Sequence, residues 1–184
     1  VLVLVDIQKG FDSPYWGKRN NPALEKNVST LLATWRSAGL PIIHVRHDST
    51  ESESPLRPGQ EGNDFKDQVM PMPGEHIEAK QVNSAFIGTG LEQYLRDNKL
   101  TTLILCGLTS DHCVSTTARM AANLGFKAVL PADCLATFDR TGYDGRHWAA
   151  DDIHSSSLAS LGGEFATVIT TADLLKALAC RSCP

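Results

Sequence analysis

The sequence predicts a three-layer α/β/α fold: a doubly wound parallel sheet of about six strands with helices on both faces. Two observations carry this. Short apolar, β-branched runs recur along the chain, each apolar on consecutive positions, as strands covered on both faces must be. Between them lie stretches with the three- and four-residue spacing of amphipathic helices. Strands that alternate with helices pair in parallel and place helices on both faces. The length of 184 residues suits one domain with a sizeable core, so residues 1–184 are read as a single domain.

Each element has its own signal. Val1–Val5 is an unbroken apolar run and the first strand. Pro22–Ala38 puts Leu24, Val28, Leu31, Leu32 and Trp35 on one side of a helix, and Gly39 marks its stop. Pro41–Val45 is the second strand and His76–Ala79 a shorter third. Gly90–Asn98 is a short helix carrying Leu91, Tyr94 and Leu95, and Thr102–Cys106 is the middle strand. Asp111–Leu124 is a helix that ends at Gly125, and Lys127–Leu130 is the fifth strand. Gly145–Leu161 is a helix, Ala166–Ile169 the sixth strand and Thr171–Ala179 the last helix, with residues 180–184 a loose tail. Residues 47–74 break the rhythm, being rich in Pro, Gly, Ser, Glu and Asp without a period. An irregular loop of that length is functional or mobile as a rule; it either folds over a site or is a surface excursion.

Composition narrows the function. A net charge of −4 argues against holding nucleic acid by bulk positive charge and offers no basic surface to an anionic membrane, so neither is an expected partner. No apolar run reaches the roughly 18–20 residues that span a bilayer, and the opening run ends too soon, at Asp6, for a signal peptide. The five cysteines, at 106, 113, 134, 180 and 183, are odd in number and irregular in spacing, which points to a reducing compartment and a cytoplasmic protein. Cys180 and Cys183 form a lone C-x-x-C with no second pair to complete a zinc site, and it is read as part of the tail.

Ligands of open parallel sheets bind beyond the carboxyl ends of the strands. Asp6 follows the first strand, Lys80 the third, and Cys113 stands near the start of the helix after the middle strand, so the three can share one rim. At a helix N-terminus the dipole and free N–H groups favour a thiolate, a nearby ammonium lowers the thiol pKa further, and a carboxylate can take its proton. Each residue also has an ordinary reading: the Asp caps a turn, the Lys solvates a surface, the Cys is a small buried hydrophobe.

Three segments settle the choice by resemblance. Val5-Asp6-Ile7-Gln8-Lys9-Gly10-Phe11, Lys80-Gln81-Val82-Asn83-Ser84-Ala85-Phe86 and the run from Gly107 through Thr109, Cys113 and Val114 to Ala118 resemble the isochorismatase-like cysteine hydrolases in order and spacing. The resemblance covers Val1 to about Leu175, and Asp133 is similar to an acidic position of that family. It implies the isochorismatase-like hydrolase fold with strand order 3-2-1-4-5-6, and a catalytic triad of Asp6, Lys80 and Cys113 as in nicotinamidases, N-carbamoylsarcosine amidohydrolases and maleamate amidases. It also implies an oxyanion hole at the amides of Thr109 and Cys113, a cis peptide between Leu108 and Thr109, and a homo-oligomer, dimer or tetramer.

The resemblance has limits. Nicotinamidase-type members bind a metal through an Asp-x-His pair and a further His. Here His44 and His47 are three apart on an extended segment, where alternation sends them to opposite sides, so no metal and no other cofactor is expected. Retention of the cysteine favours C–N cleavage of a small amide, lactam or carbamoyl compound through a thioester. The alternatives are isochorismatase-type ether hydrolysis and a non-catalytic binding module. Phe11, Trp16, Phe86 and His112 are candidates for the substrate pocket and equally for packing. Arg46 and His47 stand where a substrate carboxylate would bind, although an Arg at a strand end is more often in a surface ion pair, and Phe138–Trp148 contributes to the pocket or to a subunit contact. Asp111–Val114, Phe138–Asp139 and Glu164–Val168 are most similar to the streptothricin hydrolase branch, which points to a cyclic amide or lactam.

Overall fold

Residues Leu2–Val5 form strand β1, and their alternation explains the layering of the molecule. Leu2 and Leu4 pack with Leu24, Val28, Leu31, Leu32 and Trp35 of helix α1 (Leu24–Ser37) and Leu174 of helix α5 (Thr171–Arg181). Val3 and Val5 pack on the other face with Leu91 and Leu95 of α2 (Leu91–Asp97), Val114, Ala118 and Ala121 of α3 (Cys113–Asn123), and Leu161 of α4 (Ala150–Leu161). With both faces covered, every second residue cannot be polar, which is why the strand reads as a continuous apolar run. The computed structural model describes residues 1–181.

The other main strands are β2 (Ile42–His47), β3 (His76–Lys80), β4 (Thr102–Leu108), β5 (Lys127–Pro131) and β9 (Ala166–Ile169). Their order is β3-β2-β1-β4-β5-β9 and all their pairings are parallel. This is the expected order, with Ala166–Ile169 as the sixth long strand. Three two-residue strands add to it: β6 (Leu135–Ala136) beside the end of β4, and β7 (Arg140–Thr141) against β8 (His147–Trp148) in a hairpin. Among the described residues no helix is long and apolar enough to cross a membrane.

Several boundaries differ from the expectation, and β4 for one continues past Cys106 to Leu108. β2 continues past Val45 to His47, pairing Arg46 and His47 with Ala79 and Lys80 of β3. α3 begins at Cys113 rather than Asp111, because the Thr109 carbonyl accepts the N–H groups of both His112 and Val114. α4 begins at Ala150 rather than Gly145: the β7–β8 hairpin uses the intervening residues, and Asp139 Oδ1 accepts the Ala150 N–H at 2.8 Å. α5 runs through Cys180 to Arg181, so Cys180 is helical, with an exposed free thiol, rather than tail; Cys183 lies outside the described residues. Residues 48–75 are irregular, with single turns at Glu61–Asn63 and Asp67–Val69. They lie against the loop after β1, where the Lys9 N–H donates to Asp64 O and the Lys66 N–H to Ile7 O, with Leu56, Phe65 and Val69 buried.

Candidate active site

The carboxyl ends of β1, β2 and β3 and the start of α3 converge on one buried cluster. Asp6 follows β1 at φ 55°, a left-handed conformation sparsely used by non-glycine residues, with its N–H bonded to Val45 O at 2.9 Å. Lys80 ends β3, one strand removed from β1, and its long side chain passes His47 to reach Asp6. Lys80 Nζ lies 2.6 Å from Asp6 Oδ2, 3.0 Å from His47 Nδ1 and 3.3 Å from Cys113 Sγ. Asp6 and Lys80 are fully buried and Cys113 is 8% exposed. Asp6 Oδ1 has no hydrogen-bond partner, and Cys113 Sγ is 3.8 Å from Asn83 Oδ1.

β1 and β4 must close tightly for this to happen. A Cβ on Gly107 would stand 1.9 Å from Val5 O, at φ 131°, so only glycine fits opposite Val5. One residue further on, the Leu108–Thr109 peptide is cis. Ser110 is then held by Ala136 O, by Ser157 Oγ and by His154 Nδ1. Cys113 is the first residue of α3, and the first N–H groups of a helix have no acceptor inside it. Thr109 Oγ1 is buried without a partner.

Opposed effects act on the thiol. Burial pushes the Cys113 thiol well above its ordinary range, Asp6 adds to this, and Lys80 opposes without prevailing. Burial therefore works against the thiolate that the helix end and the lysine favour. Burial also works against the Lys80 charge, but Asp6 and Cys113 outweigh it and hold the ammonium above its ordinary range. Burial, then Lys80, lower the His47 imidazole, with Asp6 and Asp48 opposing. A neutral ring that accepts at Nδ1 carries its proton on Nε2.

One ligand-type atom each from Asp6, His47 and Cys113 lies within 4.8 Å of the others, a spacing that would suit a metal ion. Lys80 Nζ bonds to all three, so the ammonium holds the place such a trio would offer a cation. We read them as the partners of Lys80.

The pocket candidates separate. Phe11 and Trp16 join Phe138 in an aromatic group, with Phe11 at 4.9 Å from Trp16 and 5.9 Å from Phe138. Trp16 Nε1 donates to Gly10 O. Phe86 stacks on Phe126 at 5.8 Å, among the residues of the α2–α3 face. His112 is exposed beside Asp111. Arg46 is occupied by Asp48. Asp133 anchors α5 through the Thr171 N–H and hydroxyl. Sequence reasoning missed His47 as a partner of Lys80 and Asn83 as a neighbour of the thiol. Asn83 stands three residues after Lys80 in the second motif, and nothing in the sequence showed which way it faces.

The isochorismatase domain matches residues 1–173. The uncharacterized isochorismatase family protein YrdC of Bacillus subtilis is 45% identical over 174 residues, covering 95% of this chain and 93% of that protein. A streptothricin hydrolase of Streptomyces noursei is 35% identical over 140 residues, 75% of this chain and 50% of that protein. The crystal structure of an isochorismatase-family protein from Chromobacterium violaceum ATCC 12472 superposes with a TM-score of 0.94 at 50% identity, covering 97% of this chain and 93% of that one.

Proposed function

This chain belongs to the isochorismatase family of hydrolases, and from that premise we propose that it is a metal-independent cysteine hydrolase that cleaves the C–N bond of a small amide, lactam or carbamoyl compound. One contact set carries the reading: a buried ammonium bonded at once to a carboxylate and a thiol, with the second carboxylate oxygen left free. A resting thiol needs a base at the moment of attack, and Asp6 Oδ1 is an unoccupied acceptor for its proton. As the S–H proton passes to Asp6, Sγ bonds to the substrate carbonyl carbon, and Lys80 stabilises the developing thiolate. The tetrahedral oxyanion accepts the N–H groups of Thr109 and Cys113. Its collapse breaks the C–N bond, Asp6 returns the proton to the leaving nitrogen, and an acyl thioester remains on Cys113. Water then attacks the thioester and gives its proton to Asp6. The C–S bond breaks, the acid leaves, and the thiolate recovers its proton.

The test is a screen of ammonia release from small amides, carbamoyl and maleamate-type compounds, with ring opening of lactams followed by mass, and Cys113→Ala as the blank. The variant should fold as the parent does and lose at least about a thousandfold in turnover. Substantial turnover by folded Cys113→Ala, or hydrolysis of isochorismate that does not depend on Cys113, would overturn the reading.

A further inference from the structure

We propose that His47 is a positioning residue for Lys80: its Nδ1 takes the ammonium N–H left over once Asp6 and Cys113 are served, and so fixes the ammonium between carboxylate and thiol. The inference rests on the roles given above to Lys80 and Cys113.

An ammonium has three N–H donors and no acceptor, and inside a protein each needs a partner. At Lys80, which is fully buried, the partners are Asp6 Oδ2, Cys113 Sγ and His47 Nδ1. Without the imidazole, one buried N–H is unpaired, and a flexible four-carbon stem is free to turn toward another acceptor. The placement of His47 is itself built. His47 and Lys80 are register partners in β2 and β3, and the Asp48 N–H beyond them bonds to Lys80 O at 2.8 Å. The His47 N–H donates to Gln8 Oε1 at 2.8 Å, while its carbonyl accepts Gln8 Nε2 and Asn63 Nδ2, each at 3.1 Å. Gln8 is fully buried and comes from the loop after Asp6. Asn63 comes from the irregular segment, which thus acts on the site by steadying this backbone. The charged and titratable groups around the ring are Lys80 from β3, Asp6 after β1, Cys113 from α3, and the neighbouring Asp48 with Arg46 bound to it. A protonated ring would lose its acceptor and face the ammonium.

The test needs no substrate. Iodoacetamide alkylates the thiolate, and peptide mass spectrometry follows Cys113 from about pH 6 to 10. Two variants separate position from bulk. His47→Leu fills the space without an acceptor; His47→Asn puts Oδ1 where Nδ1 was and cannot titrate. In His47→Leu the alkylation profile of Cys113 should move up by about one pH unit, a tenfold slower reaction near neutrality. His47→Asn should restore the rate to within a factor of about three. A parental profile in folded His47→Leu, or His47→Asn as slow as His47→Leu, overturns the proposal. If His47→Leu does not fold, His47→Ala is read by the same two criteria. A profile that depends on His47 in a protein that turns over no amide would refute the hydrolase reading and leave this one standing.

Discussion

Lys80→Met removes the cation from the cluster at nearly constant volume, and the structure sets the consequence. Asp6 Oδ2 loses its 2.6 Å bond to Lys80 Nζ, Oδ1 has no partner to begin with, and the residue is fully buried. Breaking a buried pair from one side destabilises by about 3–5 kcal/mol. With a urea slope of about 2 kcal/mol per molar, the unfolding midpoint at neutral pH should drop by about 1.5–2.5 M. Asp6→Asn combined with Lys80→Met removes both charges and should recover most of the loss. The assay is urea unfolding of the three proteins at neutral pH. A Lys80→Met variant within about 1 kcal/mol of the parent at pH 7, or a double variant no more stable than Lys80→Met alone, would refute the reasoning.

Two further outcomes follow from the same structure. Gly107→Ala should fail to give folded protein, or lose several kcal/mol in thermal unfolding, because its Cβ would meet Val5 O at 1.9 Å in a left-handed backbone. Burial works to raise the Glu25 carboxyl, but hydrogen bonds from Arg19 and Lys66 outweigh it and lower it from the ordinary 4.5 to about 2. A lowered carboxyl pKa stabilises above the unfolded value and ceases to as pH falls through the folded one, so Glu25→Gln should flatten the melting temperature against pH between about 4.5 and 2.

How far the fold was legible depends on what each signal measures. The strand runs and the α1 stripe of Leu24, Val28, Leu31, Leu32 and Trp35 report burial directly, and burial is what the two faces of the sheet impose. Boundaries failed where particular hydrogen bonds, not apolar spacing, set the end. Asp139 places the start of α4 eleven residues ahead of itself, and Thr109 delays the start of α3 until Cys113.

The site shows the same limit more sharply. That Asp6, Lys80 and Cys113 share a rim follows from their places at strand ends, and the structure brings them within bonding distance. Their electrostatics did not follow, because two opposed effects act on the thiol and their sizes decide the sign. The lysine and the helix end are visible in the sequence, while the depth of burial, which prevails, is not. His47 is the more instructive case. Alternation separates it from His44: His44 Nε2 meets Glu75 on the α1 side and His47 Nδ1 meets Lys80 on the other. That argument disposes of a pair formed along one strand and says nothing of pairs formed across two. The expected strand stopped at Val45, so His47 had no register to be read from. Two more residues of β2 are enough to set it opposite Lys80, 33 positions away. A family motif located the three residues that are close to one another in chemistry, and only the register of a strand pair located the fourth that holds the ammonium in place.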